Sequence, residues 1–223
     1  MLAFDPNSLP TPCYVVDEAL LVKNLELLAS VIRRTGCKIL LAQKGFSMFS
    51  VYPLIGKYLN GTTASSLFES RLGREEMGGE VHIFNPAFDP RDFPEILRLC
   101  DHIVFNSMNQ WRKYRGAVHA SDRPIGCGLR VNPGYSEIEV EMYNPCALGS
   151  RLGIRREHLD ERELDGIEGL HFHTMCEQNS DVLERTLPHF EEKFGNLIPR
   201  MKWVNFGGGH HITRPDYDVD RLV

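Results

Sequence analysis

A lysine follows a short apolar segment early in the chain. The stretch KILLAQKGF places Lys44 just after the apolar residues 39–42, where a buried strand would open at its rim. A lysine that is shielded from water becomes a nucleophile able to form a Schiff base with a carbonyl compound. A solvated lysine at the end of a strand gives the same pattern, so this stretch alone favours a surface lysine.

Three consecutive glycines follow another predicted strand, in VNFGGGHHIT. Gly207, Gly208 and Gly209 can turn their backbone N–H groups toward one point without steric conflict, which suits a phosphate. A tight turn into which no larger residue fits would require the same glycines. The triplet is compatible with both interpretations.

Two histidines alternate along the strand predicted in GLHFHTMCEQN, so that His171 and His173 point to the same side. A pair of histidines can bind a metal ion, but no further ligands occur at a recognised spacing, so we expect no metal site. A histidine at such a strand end more often forms hydrogen bonds or stacks on a ring.

Charged residues complete the set of candidates. GLRVNP puts Arg130 inside an apolar strand, and a buried guanidinium needs an anionic or polar partner because an unpaired buried charge is very costly. Glu69, after TTASSLF, and Arg151, in LGSRLG, are equally compatible with solvated surface charges. An aldehyde cofactor that carries a phosphate uses an amine, a glycine turn, a histidine and an arginine together. We therefore expect pyridoxal 5′-phosphate (PLP) as the cofactor.

These candidates must be positioned by regular elements. A helix is predicted in EALLVKNLELLASVIRRTG by the helical spacing of its apolar residues, with Asp17 as N-cap and Gly36 as its end. Short apolar or β-rich runs then alternate with helical stretches, and these runs are KILLAQ, GTTASS, VHIFNP, HIVFNS, IGCGLRVNP, EGLHFHT and KWVNFGGG. The alternation predicts an α/β fold with a parallel sheet. PTPCYVVD, before the first helix, is predicted as one more short strand.

The candidate residues lie at the carboxyl end of one predicted strand after another, from Lys44 to Gly208. This distribution favours a TIM-type β/α barrel over a doubly wound open sheet, for which a G-x-G-x-x-G after an early strand is expected. The connection 132–157 is long and has no clear helix until near its end. We interpret it as an ordered active-site loop.

Composition limits the class of protein. The 223 residues are 42% hydrophobic and 25% charged with a formal net charge of −5, which is typical of a soluble globular protein and argues against a general nucleic-acid binder. The six cysteines are dispersed and indicate reduced thiols, and the first residues do not resemble a signal peptide. No segment is apolar enough for a membrane span. We therefore expect a cytoplasmic protein without nucleic-acid or membrane partners.

With these motifs the chain resembles the barrel part of the alanine racemase/ornithine decarboxylase-type (fold type III) PLP enzymes over essentially its whole length. TPCYVVDEALLVKNL is similar to the family's opening strand and helix, LLAQKGF to its A-x-K motif, and TASSLFE to its A-S-x-x-E stretch. The resemblance implies that Lys44 forms the Schiff base and that His173 stacks on the pyridine ring. The further cofactor contacts that it implies are Arg130 near the phenolate, Cys176 where relatives have a phosphate-contacting serine, Glu69, and the phosphate turn Gly207, Gly208 and Gly209.

Three longer stretches, YNPCALGSRLGI, EGLHFHTMCEQNSDVLERTL and VNFGGGHHIT, are most similar to the carboxynorspermidine (carboxyspermidine) decarboxylase subfamily. The resemblance implies PLP-dependent decarboxylation of carboxynorspermidine or carboxyspermidine to norspermidine or spermidine, in polyamine biosynthesis, by a homodimer. The family continues after the glycine turn with an E-P-G strand and a C-terminal β domain, which do not follow here. We therefore expect residues 1–223 to be an N-terminal PLP-binding barrel domain that lacks its last strand and is incomplete for activity. Residues 11–17 are then expected to belong to a second β domain that this chain does not contain.

The alternative function is that of a non-catalytic, single-barrel PLP-binding protein of PLP homeostasis. The length of the chain is in favour of this alternative. The turn NFGGGHH and the opening stretch PTPCYVVDE are not expected in such proteins.

Overall fold

The computed structural model describes residues 5–223, and residues 1–4 of the proposed 1–223 domain lie outside the described part. Seven strands form one sheet in which all neighbouring strands are parallel and the spatial order equals the chain order. The strands are β1 Leu40–Ala42, β2 Gly61–Ala64, β3 Glu80–Phe84, β4 His102–Phe105, β5 Gly126–Arg130, β6 Ile167–His171 and β7 Trp203–Asn205.

Helices connect most of the strands. The helices are α1 Glu18–Thr35, before β1, then α2 Tyr52–Ile55, α3 Leu67–Leu72, α4 Phe93–Leu99, α5 Met108–His119, α6 Ser180–Phe194 and, after β7, α7 Val219–Leu222. A π-helical turn, Gly73–Met77, continues α3. Within residues 5–223 no helix has the length and apolar character that crossing a membrane requires.

The sequential strand order is that of a β/α barrel, and the predicted fold class is confirmed. A doubly wound sheet would instead reverse its strand order at a switch point. Each of the seven strand runs named above becomes a strand of this sheet. In the described part of the chain β1 and β7 are the two edges, because neither of them pairs with the other.

The first helix forms where its end signals place it. The side chain of Asp17 accepts a hydrogen bond from the N–H of Leu20, and Gly36 ends the helix with a φ of +73°. Glycine adopts the left-handed backbone conformation without a steric penalty, so the helix ends at Gly36. The predicted helix is therefore confirmed.

The stretch PTPCYVVD forms no strand within the described structure, and its assignment to a second β domain stays a prediction. Tyr14 is 96% exposed, and no described strand pairs with this segment. An extended segment becomes a strand only when a neighbour satisfies its backbone groups, which an apolar pattern cannot guarantee.

The main core lies between the sheet and the helices of its outer face. Every second residue of the central strands faces outward and is buried against the helices. The large residues of this core are Ile83, Ile103, Phe105, Leu129, Leu170 and Phe172 from the strands and their ends, and Trp111 and Phe190 from the helices. Because side chains alternate between the faces of a strand, their neighbours point to the inner face of the sheet. The inner face is where the polar residues of β3 to β7 lie.

Candidate active site

Two neighbouring strands bring an arginine and a histidine together. Arg130 ends β5 as the register neighbour of His171 on β6, and its Nη2 donates to the backbone oxygen of His173 at 3.1 Å. The guanidinium carbon lies 4.7 Å from the ring centre of Phe84. Arg130 is only 4% exposed, and burial lowers its pKa to about 10. No carboxylate of residues 5–223 forms an ion pair with it, so this buried charge is available to an anionic ligand.

His173 follows β6 and is held as a neutral ring. Its pKa is lowered to about 4, mainly by burial and then by the charges of Lys44, Arg130 and His210. Its Nδ1 accepts a hydrogen bond from the backbone N–H of Gly208 at 3.0 Å. A neutral imidazole that accepts at Nδ1 carries its proton at Nε2. The result is a flat, uncharged ring in one orientation, which is what stacking on an aromatic ligand requires.

His171 is the last residue of β6, two residues before His173. Its ring is nearly parallel to that of His173, with an interplanar angle of 13° and ring centres 6.4 Å apart. Burial, together with the nearby Arg130, lowers its pKa to about 3. Its Nδ1 lies 3.3 Å from the backbone oxygen of Asn205 on β7. His171 therefore supports the histidine above it from within the sheet.

The glycine turn is packed tightly on the end of β6. Gly209 has a φ of +95°, and a Cβ there would lie 2.2 Å from the backbone oxygen of Met175. The N–H of Gly207 donates to Oδ1 of Asn205 at 2.8 Å, and that of Gly208 donates to His173. The predicted convergence of all three N–H groups on one point is therefore not what the structure has, because two of them have acceptors within the chain. A Cβ on Gly208 would meet only His173, at 4.0 Å, so space remains above this residue.

Lys44 lies two residues beyond the end of β1 and is exposed. This agrees with the surface lysine that the stretch alone favours, because β1 is an edge strand and Ala42 is exposed as well. All seven strands run parallel, so the segment after β1 lies at the same end of the sheet as the segment after β6, and the charge of Lys44 is one cause of the lowered pKa of His173. The structure therefore brings Lys44 to the same end of the sheet as His173 and Arg130.

Gln43, the residue before Lys44, anchors the end of β1 to the neighbouring segments. Gln43 is only 2% exposed, and its Nε2 donates to the backbone oxygen of Glu69 at 2.8 Å. The hydroxyl of Tyr52 donates to its Oε1 at 3.3 Å. Glu69 itself is half-buried, and its carboxylate accepts the N–H of Ser65 at 2.5 Å. In the described structure the Glu69 side chain therefore shapes the start of α3.

Cys176 is exposed beside the glycine turn. A Cβ on Gly209 would lie 2.8 Å from the backbone nitrogen of Cys176, so the two segments touch. The next residue, Glu177, has a φ of +55°, a conformation that is costly for a residue with a side chain. The backbone at Cys176 and the glycine turn therefore form one compact rim, on which Cys176 is exposed.

Several asparagines at strand ends were missed as functional candidates. Asn106 donates to the backbone oxygen of Arg151 at 2.8 Å and accepts the N–H of Gly153 at 2.8 Å. Asn132 donates to the backbone oxygens of Pro145 and Leu152 at 3.0 and 3.2 Å. The sequence carries a signal for such asparagines. Three predicted strands end in two apolar residues and an asparagine, as IFN, VFN and WVN, and a fourth ends in the similar RVN. Asn106 and Asn132 hold the connection 132–157 across the end of the sheet.

Helix α6 holds the beginning of this connection. The ring of Tyr135 stacks on that of His189 with centres 4.0 Å apart. Arg185 makes a bidentate contact with the carboxylate of Glu137, at 2.7 and 2.8 Å. The connection is thus fixed next to Arg130, and burial raises the pKa of the Cys146 thiol that it carries. This agrees with the expectation of an ordered loop at the site.

The strand ends therefore present an exposed amine, a neutral imidazole, a buried guanidinium and an open space above Gly208. An amine reacts with an aldehyde, a flat ring stacks on another ring, and a guanidinium pairs with an oxyanion. The arrangement suits an aromatic aldehyde that carries anionic groups.

Comparison with known proteins identifies relatives for this chain, although no protein-family model matches it. A carboxynorspermidine/carboxyspermidine decarboxylase of Campylobacter jejuni is 46% identical over 217 residues, which cover 97% of this chain and 56% of the relative. A carboxyaminopropylagmatine decarboxylase of Synechocystis is 42% identical over the same shares of both chains. The chain thus spans little more than half of the length of these curated relatives.

Solved structures show the same relationship. The crystal structure of carboxynorspermidine decarboxylase from C. jejuni, complexed with norspermidine, superposes with a TM-score of 0.87 at 45% identity. The match covers 96% of this chain and 55% of that structure. Diaminopimelate decarboxylase from Helicobacter pylori, at a TM-score of 0.67 and 11% identity, shares the fold alone.

Proposed function

The chain is homologous to the carboxynorspermidine/carboxyspermidine decarboxylases over 97% of its own length, and from this premise we propose that it forms the PLP-binding part of an enzyme that decarboxylates a carboxylated polyamine. The structural observation that carries the proposal is Arg130, a buried guanidinium with no carboxylate partner among the described residues, beside the neutral ring of His173.

The residues at the strand ends fit PLP. Lys44 would hold the aldehyde carbon, His173 would stack on the ring, and Arg130 would pair with a ring or phosphate oxygen. The phosphate would lie in the space above Gly208 and accept a hydrogen bond from the N–H of Gly209, with Cys176 at the rim of this space and Glu69 fixing the neighbouring loop. When bound, PLP supplies an aldehyde that condenses with amines and a ring that accepts the electron pair left by departing CO2.

The residues of the chain itself have distinct roles in this proposal. His173 holds its proton at Nε2, away from the glycine turn, so its face rather than a charge meets the ligand. Arg130 stays protonated at neutral pH because its lowered pKa of about 10 is still well above 7. The exposed Lys44 amine can be reached by a substrate that arrives from solvent. The chain thereby binds and orients the reacting groups.

The proposed substrates are carboxynorspermidine and carboxyspermidine, with norspermidine and spermidine as the products. The relative of known structure is complexed with norspermidine. The Synechocystis relative is named for a third carboxylated polyamine and is nearly as similar, at 42% against 46% identity. The substrate must therefore be decided by assay.

The remaining proposals concern the whole protein. A homodimer is proposed as the functional form, with residues 1–223 as its PLP-binding barrel domain and residues 11–17 belonging with a second β domain. The exposed Tyr14 supports an additional contact for this segment. A cytoplasmic location is proposed because the cysteines are unpaired among the described residues.

The test is a CO2-release assay with PLP and each of the three carboxylated polyamines. The 223-residue chain and a product extended to the length of the curated relatives would be assayed in parallel, with analytical ultracentrifugation of both. We expect the extended protein to be a dimer and to release CO2 from carboxynorspermidine or carboxyspermidine, and the short chain to be inactive. A soluble 223-residue monomer that binds PLP, with no turnover at either length, would support the non-catalytic PLP-binding protein instead.

A further inference from the structure

A second group of polar side chains lies at the opposite, amino-terminal end of the sheet. Glu80 and His82 alternate on β3 and therefore point to the same face. His82 is the register neighbour of His102, the first residue of β4. No spacing motif announces this group in the sequence, because its members come from two strands separated by a helix.

The three side chains are close enough to share one ion. Oε2 of Glu80 lies 3.0 Å from Nε2 of His82. The rings of His82 and His102 are stacked with their centres 4.1 Å apart. One ligand atom from each residue lies within 4.8 Å of the other two. Ligands of a tetrahedral zinc ion, at bond lengths of about 2.0–2.2 Å, are roughly 3.3 Å apart, so the two histidine rings would have to rotate out of their stacked arrangement to complete the site.

The surroundings of His102 show no protein partner for its ring. Its buried Nδ1 has no hydrogen bond within residues 5–223. The neighbouring strand makes room for this ring, because a Cβ on Gly126 would lie 2.4 Å from Nδ1. Trp203 covers another side edge-on, with ring centres 5.5 Å apart. Because Nδ1 is packed against Gly126, the other ring nitrogen, Nε2, is the atom of His102 that would bind an ion.

Lys38 competes for the same carboxylate. Its ammonium forms an ion pair with Oε1 of Glu80. The side chain of Lys38 is 57% exposed, so it can rotate into solvent and leave Glu80 to another cation. Exposed ion pairs of this kind contribute little to stability, and a metal ion would displace the lysine at small cost.

We propose that Glu80, His82 and His102 bind one divalent transition-metal ion, with zinc as the reference ion. Two imidazoles and one carboxylate are a ligand set that zinc accepts, with water at the fourth position. The ion would link β3 to β4 at the end of the sheet remote from Lys44. Residues at this end of a β/α barrel serve stability, so we expect the ion to tie the two strands together, with a water molecule in place of a fourth protein ligand. The proposal is independent of the proposed function.

The test uses the 223-residue chain after treatment with a chelator and then with zinc chloride, followed by titration calorimetry and thermal unfolding. We expect one equivalent of zinc to bind and to raise the melting temperature, because only the folded chain holds the three ligands together. Cobalt(II) in place of zinc should give the visible absorption of a tetrahedral ion. His82→Ala and His102→Ala should each weaken zinc binding about tenfold or more.

Two further variants separate this site from adventitious binding. His158→Ala removes an exposed histidine elsewhere and should leave zinc affinity unchanged. Lys38→Met removes the competing ammonium and should tighten zinc binding about threefold or more, a gain that loss of folding could not imitate. Absence of a stoichiometric zinc site, equal affinity in His102→Ala and His158→Ala, or no gain in Lys38→Met would each overturn the proposal.

Discussion

Nδ1 of His173 accepts the backbone N–H of Gly208 at 3.0 Å, so the histidine after β6 and the glycine turn after β7 form one unit. This hydrogen bond fixes the tautomer of the His173 ring. It also engages the N–H of Gly208, which the glycine triplet had suggested as a phosphate ligand. Four predictions test the consequences for the site.

The first prediction concerns Lys44. Lys44→Ala should abolish the PLP absorbance at about 420 nm and the borohydride-trapped PLP adduct, because no other amine is expected to hold the aldehyde. The melting temperature should stay the same, since the residue is exposed. Lys57→Ala, another exposed lysine, is the control and should retain the adduct. A trapped adduct on a different lysine in Lys44→Ala, located by mass spectrometry, would show the assignment to be wrong.

The second prediction separates two glycines of one turn. Gly208→Val should weaken PLP binding about tenfold or more with little effect on folding, because its side chain would enter the space above the turn. Gly209→Ala should instead lower the free energy of unfolding by about 2 kcal/mol or more, because it combines a positive φ with a clash against Met175. Fluorescence titration with PLP and urea unfolding measure the two effects. Unchanged PLP affinity in Gly208→Val would mean that the triplet is only a tight turn.

The third prediction concerns the buried guanidinium. Arg130→Met should leave the free energy of unfolding of the PLP-free chain unchanged or raise it by about 1 kcal/mol, because a buried charge without a carboxylate partner is replaced by an apolar side chain. The same variant should bind PLP about tenfold more weakly or worse. Arg151→Met, at an exposed arginine, should change neither quantity. A loss of stability without a change in PLP affinity would give Arg130 a structural role only.

The fourth prediction concerns the pH dependence of folding. The pKa of His173 falls from an ordinary 6.5 to about 4 in the folded chain, where burial, Lys44, Arg130 and His210 all disfavour its charged form. The unfolded chain therefore binds more protons between these values, and stability should fall as the pH falls from about 6.5 to about 4. His173→Phe removes this contribution and should flatten the dependence, measured by urea unfolding at several pH values.

His158→Ala should keep the full pH dependence in the same experiment, because it removes an exposed histidine. An identical slope in the parent chain and in His173→Phe would contradict the neutral state of His173. The remaining slope in His173→Phe should come in part from His171, whose pKa is also lowered by burial.

The sequence by itself determined the order and type of the elements. The seven β runs and the helix between Asp17 and Gly36 were readable because alternation, helical spacing and capping are local properties of the chain. The asparagines at strand ends were readable in principle as well. Local signals also placed Lys44, Arg130 and His173 at strand ends, and hence at one end of a parallel sheet.

Only the tertiary structure decided what surrounds these residues. The lack of a carboxylate partner for Arg130 and of a strand partner for residues 11–17, both within the described residues, depends on which segments are neighbours, and a pattern within one segment does not contain that information. The same holds for the bond between Gly208 and His173 and for the group of Glu80, His82 and His102. These contacts join residues from different strands, and strand register, not sequence spacing, sets their distances.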